Sequence, residues 1–260
     1  MNSETIIQTN ESQAEFKRWN KVFGKLWYWW SLFVAAMLLL IVGPPTISFC
    51  WLVNRREWLY PWCLWGARTW LRLSGAKIVM HGKENIEKEK SYVFICNHRS
   101  YLDTATIFSY TGKRIGVIAK KEVLKVPILG YGMQYVNIMA IDRSNNQRAV
   151  ETMKAATDKL RSGVSYAIFA EGTRALPGEL LPFKKGAFYM AIEAGVPIIP
   201  VAFKNTDNLM GKKRGAAQPG TIEVVFLPPV STEGLLPNDK DVVKLRAEVY
   251  SMVKEELYKK

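Results

Sequence analysis

The stretch from Tyr92 to Asp103, YVFICNHRSYLD, joins an apolar run to a polar turn that leads into a helix. Tyr92 to Cys96 read as a strand buried on both faces. With His98 in the turn, Tyr101 to Tyr110 form the helix and Asp103 falls in its first turn, where a carboxylate suits the N-terminal dipole. The same step recurs along the chain. AKIVM at 76–80, IGVIA at 115–119, YAIFA at 166–170, IIPVAF at 198–203 and TIEVVFL at 221–227 read as further strands, and Val136 to Ile141 is another apolar run. Between them Gln147 to Arg161 repeats Ala149, Val150, Met153, Ala156 and Leu160 on one face, and Lys185 to Ala194 forms a helix closed by Gly195. Asp241 to Leu257 is a closing amphipathic helix with Val242, Leu245, Val249, Met252 and Val253 inward. This alternation predicts an α/β fold, a mixed sheet covered by helices.

Ligands in open α/β sheets bind at strand ends, and that is where the polar residues fall. On a continuous helix, residues five apart diverge by about 140°, so His98 and Asp103 meet only if the chain bends. In a bent turn the carboxylate bonds Nδ1–H and leaves Nε2 to accept a proton. Ser100 has no nucleophile-elbow context, so the pair reads as a base and its orienter serving a substrate hydroxyl. The same residues also read as a capping aspartate beside a polar turn. A second cluster, Phe169-Ala170-Glu171-Gly172-Thr173-Arg174, offers flexible backbone, a hydroxyl and a guanidinium suited to an anionic oxygen cluster. Asp142-Arg143 and Lys120-Lys121 join that site or are solvated charge. A backbone N–H near the His98 turn is the expected oxyanion donor.

The first seventy residues carry a different chemistry. Leu26 to Val53 contain no charged side chain, while Lys17, Arg18, Lys21 and Lys25 precede them and Arg55, Arg56, Arg68 and Arg72 follow. The 9 tryptophans all lie between Trp19 and Trp70, a concentration that suits the headgroup region. As a helix, Leu26 to Val42 would extend roughly 25 Å, slightly short of a hydrocarbon core of roughly 30 Å. Gly43-Pro44-Pro45 is therefore read as the turn of a membrane-embedded helical hairpin whose basic ends stay on the cytoplasmic face. A single span is the alternative; a cleaved signal peptide lacks a small-residue cleavage site, and a buried core helix leaves the basic flanks unexplained. The expected division is an anchoring segment over 1–72 and a catalytic α/β domain over 73–260.

Lys plus Arg number 36 against 23 Asp plus Glu, a net charge of +13 that favours an anionic membrane surface, a phosphorylated small molecule, an acidic carrier protein or nucleic acid. No recognised nucleic-acid motif accompanies the charge, so no nucleic-acid partner is expected. Cys50, Cys63 and Cys96 have no disulfide or zinc spacing and His81 is isolated, so no metal is expected.

Taken in order, four blocks resemble those of the glycerolipid acyltransferases: NHRSYLD matches N-H-x4-D, Lys120 through Arg143 is similar to the second block, FAEGTR to the third, and Val196 through Val201 to the fourth. The resemblance runs from about 76 to 204 and looks most like the 1-acyl-sn-glycerol-3-phosphate acyltransferases. Ala170 stands where the third block usually has proline. The resemblance implies that His98 deprotonates a glycerol hydroxyl that attacks an acyl thioester, with Asp103 orienting the imidazole. It implies that Arg174 and Lys120 hold the acceptor phosphate, with Arg143, Glu171, Gly172 and Thr173 shaping that site. No cofactor is implied beyond the acyl-CoA or acyl carrier protein co-substrate, and the acceptor is lysophosphatidic acid, with glycerol 3-phosphate, a lyso-aminolipid or another lysophospholipid as alternatives. The implied place is a membrane, a bacterial inner membrane in preference to an organelle. A non-catalytic basic membrane-surface protein is the reading from another class.

Overall fold

The structure, a computed structural model, describes residues 21–259, so Lys17, Arg18 and Trp19 lie outside the described residues. Seven strands form one sheet: β1 (Ala76–His81), β2 (Val93–Cys96), β3 (Ile115–Lys120), β4 (Ile138–Ile141), β5 (Ser165–Phe169), β6 (Ile198–Lys204) and β7 (Gly220–Phe226). Their spatial order is β1-β7-β6-β2-β5-β3-β4. The five strands from β6 to β4 run parallel, β7 is antiparallel to β6, and β1 is parallel to β7. The sheet is mixed, as the sequence predicts.

Seven helices matter to the site: α1 (Lys21–Met37), α2 (Gly43–Leu52), α3 (Leu59–Leu73), α4 (Tyr101–Tyr110), α5 (Asn146–Arg161), α6 (Gly186–Ala194) and α7 (Asp239–Tyr258). They cover both faces because central strands are apolar on both. In β2, Phe94 and Cys96 point to a core shared with Leu59, Tyr60 and Leu71 of α3 and with Leu102 and Ile107 of α4. Val93 and Ile95 point the other way, into a core closed by Leu160 of α5, Phe188 of α6, and Val242, Leu245, Val249 and Val253 of α7. The two-residue alternation thus feeds two layers. Val150 departs from the predicted stripe: near the start of α5, it is exposed.

The N-terminal hairpin is present, but Gly43-Pro44-Pro45 is not its turn. Val22–Leu52 is one helix of 31 residues, with a π-helical turn at Leu38–Val42 and the prolines in the first turn of α2. A proline there gives up an N–H that a helix start leaves unpaired anyway, and the wider π turn absorbs the register change. Gly43 N–H reaches back to Leu38 O, and the Thr46 hydroxyl donates to Val42 O at 2.7 Å. The chain turns instead at 53–58, before α3 returns beside α1.

Side-chain hydrogen bonds fix that return. Trp70 Nε1 donates to Ser31 O at 2.9 Å, the Ser31 and Ser74 hydroxyls meet at 2.7 Å, and Trp27 Nε1 donates to Ser74 O at 3.0 Å. The outward face of the helix is apolar, with Trp29 67% and Leu52 79% exposed alongside Phe33, Leu40 and Ile41. Only 6% of its most apolar window is buried, which distinguishes it from the core helix of a soluble protein.

Candidate active site

The C-terminal ends of the parallel strands gather the sequence blocks on one edge. β2 leads into His98, β5 into Glu171–Arg174, β3 ends at Lys120, and β4 leads into Asp142 and Arg143. Asn97 extends the ladder one step beyond β2: its amide accepts from Phe203 N at 2.7 Å and donates to Phe203 O at 3.1 Å. This side-chain mimic of a strand pairing fixes where the His98 turn begins.

The turn bends as required. Ser100 caps α4, its hydroxyl accepting from Leu102 N at 3.2 Å and donating to Met210 O at 2.8 Å. Asp103, fully buried at the third helical position, completes the capping box and places Oδ2 2.8 Å from His98 Nδ1. The same oxygen accepts the backbone N–H groups of Arg99 and Ser100, each at 2.8 Å. Capping aspartate and orienting carboxylate, which the sequence left as alternatives, are one group: the cap holds the carboxylate that holds the imidazole. Phe169 stacks beneath the His98 ring, 4.1 Å between centroids, and the side chain keeps 16% exposure.

Glu171 sits beneath this turn rather than on the exposed side of its loop. Its Oε1 accepts His98 N–H at 2.6 Å and its Oε2 accepts Leu181 N–H at 2.9 Å. Burial pushes its carboxyl up to about 7, against the opposing pull of those two bonds and of the Arg99 charge. The N–H groups of His98, Arg99 and Ser100 are all spent on carboxylates, so they are not the oxyanion donors expected from sequence.

The cations gather around Gly172, whose φ of 72° takes the left-handed region that glycine permits. Arg143 donates to Gly172 O. Lys184 crosses the glycine so closely that a Cβ there would lie 2.8 Å from Lys184 Cε. Arg174 stacks on Tyr101, 3.6 Å from guanidinium carbon to ring centroid, and Lys212 donates to Arg174 O. Thr173 is exposed at the loop tip. Lys120 is on the same edge but paired with Glu122 at 3.0 Å, the carboxylate whose field reaches Arg143. Lys121 is drawn away to Asp142 at 2.8 Å. Lys184 and Lys212 escaped the sequence reading, since nothing in PFKKGAF or GKKRG tells which lysine faces the loop. His81 is exposed at the end of β1, away from this edge.

Comparison with known proteins agrees with this fold. A family profile described as Acyltransferase matches residues 77–204. The 1-acyl-sn-glycerol-3-phosphate acyltransferase alpha of Mus musculus is 37% identical over 169 residues, 64% of this chain and 59% of that protein. The 1-acyl-sn-glycerol-3-phosphate acyltransferase of Saccharomyces cerevisiae is 33% identical over 205 residues, 78% of this chain and 64% of that protein, so less than two thirds of either relative is spanned. The crystal structure of the 1-acyl-sn-glycerophosphate (LPA) acyltransferase PlsC from Thermotoga maritima superposes with a TM-score of 0.77 at 27% identity, covering 91% of this chain and 95% of that one. With its motif blocks on one sheet edge and a fold shared with that enzyme over nearly its whole length, the chain carries an acyltransferase-family domain over residues 77–204.

Proposed function

We propose that the protein transfers a fatty acyl group from an acyl thioester, acyl-CoA or acyl carrier protein, to the sn-2 hydroxyl of lysophosphatidic acid, making phosphatidic acid. The observation that carries this reading is the 2.8 Å contact of His98 Nδ1 with a buried Asp103 at a sheet edge surrounded by cations. Nδ1 bound to the carboxylate leaves Nε2 to take the proton of the acceptor hydroxyl. The hydroxyl oxygen attacks the thioester carbonyl, the carbon–sulfur bond breaks, and the leaving thiolate recovers the proton from His98. Asp103 stabilises the imidazolium in between and never needs the proton itself. No acyl-enzyme is required.

Arg174, Arg143 and Lys120 hold the acceptor phosphate, and Gly172 and Thr173 give that group close access to the loop. Arg174, already stacked on Tyr101, presents its remaining guanidinium edge for charge-assisted hydrogen bonds.

Acceptor and product are lipids, so the enzyme works at a membrane surface. The hairpin is its anchor, and it lies along one leaflet rather than crossing the bilayer. What supports this is the seating of the long helix: Gly24 O accepts Ala217 N–H at 2.8 Å, while Gly43 abuts Ile128, two catalytic-domain contacts roughly 28 Å apart along the helix at about 1.5 Å per residue. A perpendicular helix would drag the catalytic domain through the hydrocarbon. The basic residues Arg55, Arg56 and Arg72 then meet anionic headgroups on the cytoplasmic side.

The test is phosphatidic acid formation by the membrane-bound full chain, given lysophosphatidic acid and each thioester in turn. Product with either donor supports the reading. Acylation of glycerol 3-phosphate or a lyso-aminolipid instead, with lysophosphatidic acid untouched, would overturn the acceptor.

A further inference from the structure

Two cations from different elements converge on one residue that carries no charge. Arg143, just past β4, donates to Gly172 O, and Lys184, on the approach to α6, lays its side chain across the Gly172 Cα. A Cβ on Gly172 would meet Lys184 Cε at 2.8 Å and both Cδ and Nζ at 3.0 Å, so the ammonium itself lies over the loop. Its backbone is equally fixed: Lys184 N–H donates to Ala170 O at 2.7 Å, which ties the lysine to the end of β5. The glycine is thus needed twice, for its φ of 72° and for the space the lysine occupies.

Cations brought this close repel each other unless an anion lies between them. The field of Glu122 reaches Arg143, while Glu171, the nearest carboxylate in sequence, is turned inward with both oxygens on backbone N–H groups. Among the described residues Lys184 makes no ion pair, whereas its neighbour Lys185 is satisfied by Asp239 at 3.0 Å on α7. One of two adjacent lysines is spent on holding the fold and the other is held over the acceptor loop.

We infer that Lys184 is a binding residue for the phosphate of the acceptor, closing the site from the side opposite Arg143. This rests on the acyl-transfer reading above and adds a ligand to it. A phosphomonoester beside Gly172 takes a point charge from Lys184 and planar donors from Arg143, an arrangement that selects phosphate over a neutral glycerol headgroup.

The experiment measures initial rates against acceptor concentration in mixed micelles for wild type, Lys184→Met, Lys184→Arg and Lys185→Met. Lysophosphatidic acid and the phosphate-free monoacylglycerol serve as acceptors. For Lys184→Met the expected result is a KM for lysophosphatidic acid raised about tenfold, the usual weight of a charge-assisted bond, with kcat within about twofold. Lys184→Arg recovers most of that affinity, Lys185→Met matches wild type, and the slower reaction of monoacylglycerol is unchanged in all. Wild-type kinetics in Lys184→Met, or an equal rise in KM for both acceptors, would overturn the inference. A wild type inactive on lysophosphatidic acid would sink the acceptor reading instead; calorimetric titration with inorganic phosphate then decides Lys184 separately. Weaker phosphate binding in Lys184→Met than in Lys185→Met supports it, and equal binding overturns it.

Discussion

Glu171 Oε1 accepts the backbone N–H of His98 at 2.6 Å, so the loop around Gly172 is clamped directly to the turn that carries the imidazole. Burial holds this carboxyl at about 7 against an ordinary 4.5. The folded state therefore keeps a proton that the unfolded chain releases earlier. Its contribution to stability is full below about 4.5 and is lost as pH rises through about 7. Glu171→Gln cannot titrate. Denaturant unfolding of both proteins at about pH 5 and about pH 8 is expected to show wild type losing stability relative to the variant as pH rises. Parallel behaviour would mean that Glu171 does not titrate in that window. Because an amide has one acceptor oxygen for two N–H groups, kcat should also fall about tenfold.

Asp103→Asn tests the charge behind His98 separately from the presence of the imidazole. The asparagine oxygen can still accept from Arg99 and Ser100, so the start of α4 survives. That oxygen is the same atom that faces Nδ1, so the ring stays oriented while the negative charge that stabilises the imidazolium is removed. A loss in kcat of about 10²-fold or more is expected with circular dichroism unchanged. A drop of less than about tenfold would show that the charge behind the imidazole is unimportant.

Gly172→Ala meets two obstacles at once, a left-handed φ of 72° and Lys184 Cε at 2.8 Å. The lysine must swing away or the loop must shift. A stability loss of about 1–2 kcal/mol is expected from the backbone alone. Acceptor KM should rise together with it, as read by unfolding and by steady-state kinetics on one preparation.

Membrane attachment has its own signature. Trp29 and Leu52 are among the most exposed apolar side chains of the long N-terminal helix. Trp29→Ser with Leu52→Ser should weaken partition into anionic phospholipid vesicles by about tenfold or more, given roughly 1.5–3 kcal/mol for burying a large apolar side chain. Activity on a detergent-soluble short-chain acceptor should stay near wild type. Undiminished vesicle binding would place the lipid contact elsewhere.

Strand and helix positions were legible because both faces of the central strands are buried and their apolar runs stand out between polar turns. Tyr101 to Tyr110 match α4 at both ends, since Ser100 and Asp103 spell a cap. The hairpin was legible in composition but not in its turn. Gly-Pro-Pro breaks a helix unless the prolines fall in a first turn, and the π-helical residues Leu38–Val42 that make this so carry no sequence mark. Within the site, spacing gave His98 and Asp103 because a short bend suffices to join them. It could not give the inward turn of Glu171, set by Leu181 from a later loop, nor separate Lys184 from Lys185, which depends on Asp239 in α7.

The central claim is that His98 is the base of a thioester-dependent acylation. The direct measurement is the rate of phosphatidic acid formation from lysophosphatidic acid by wild type and His98→Ala in the same membranes, with unfolding curves confirming that both are folded. Robust turnover in wild type and a loss of at least about 10²-fold in the variant is the result the geometry predicts. Wild-type turnover in a folded His98→Ala would contradict it.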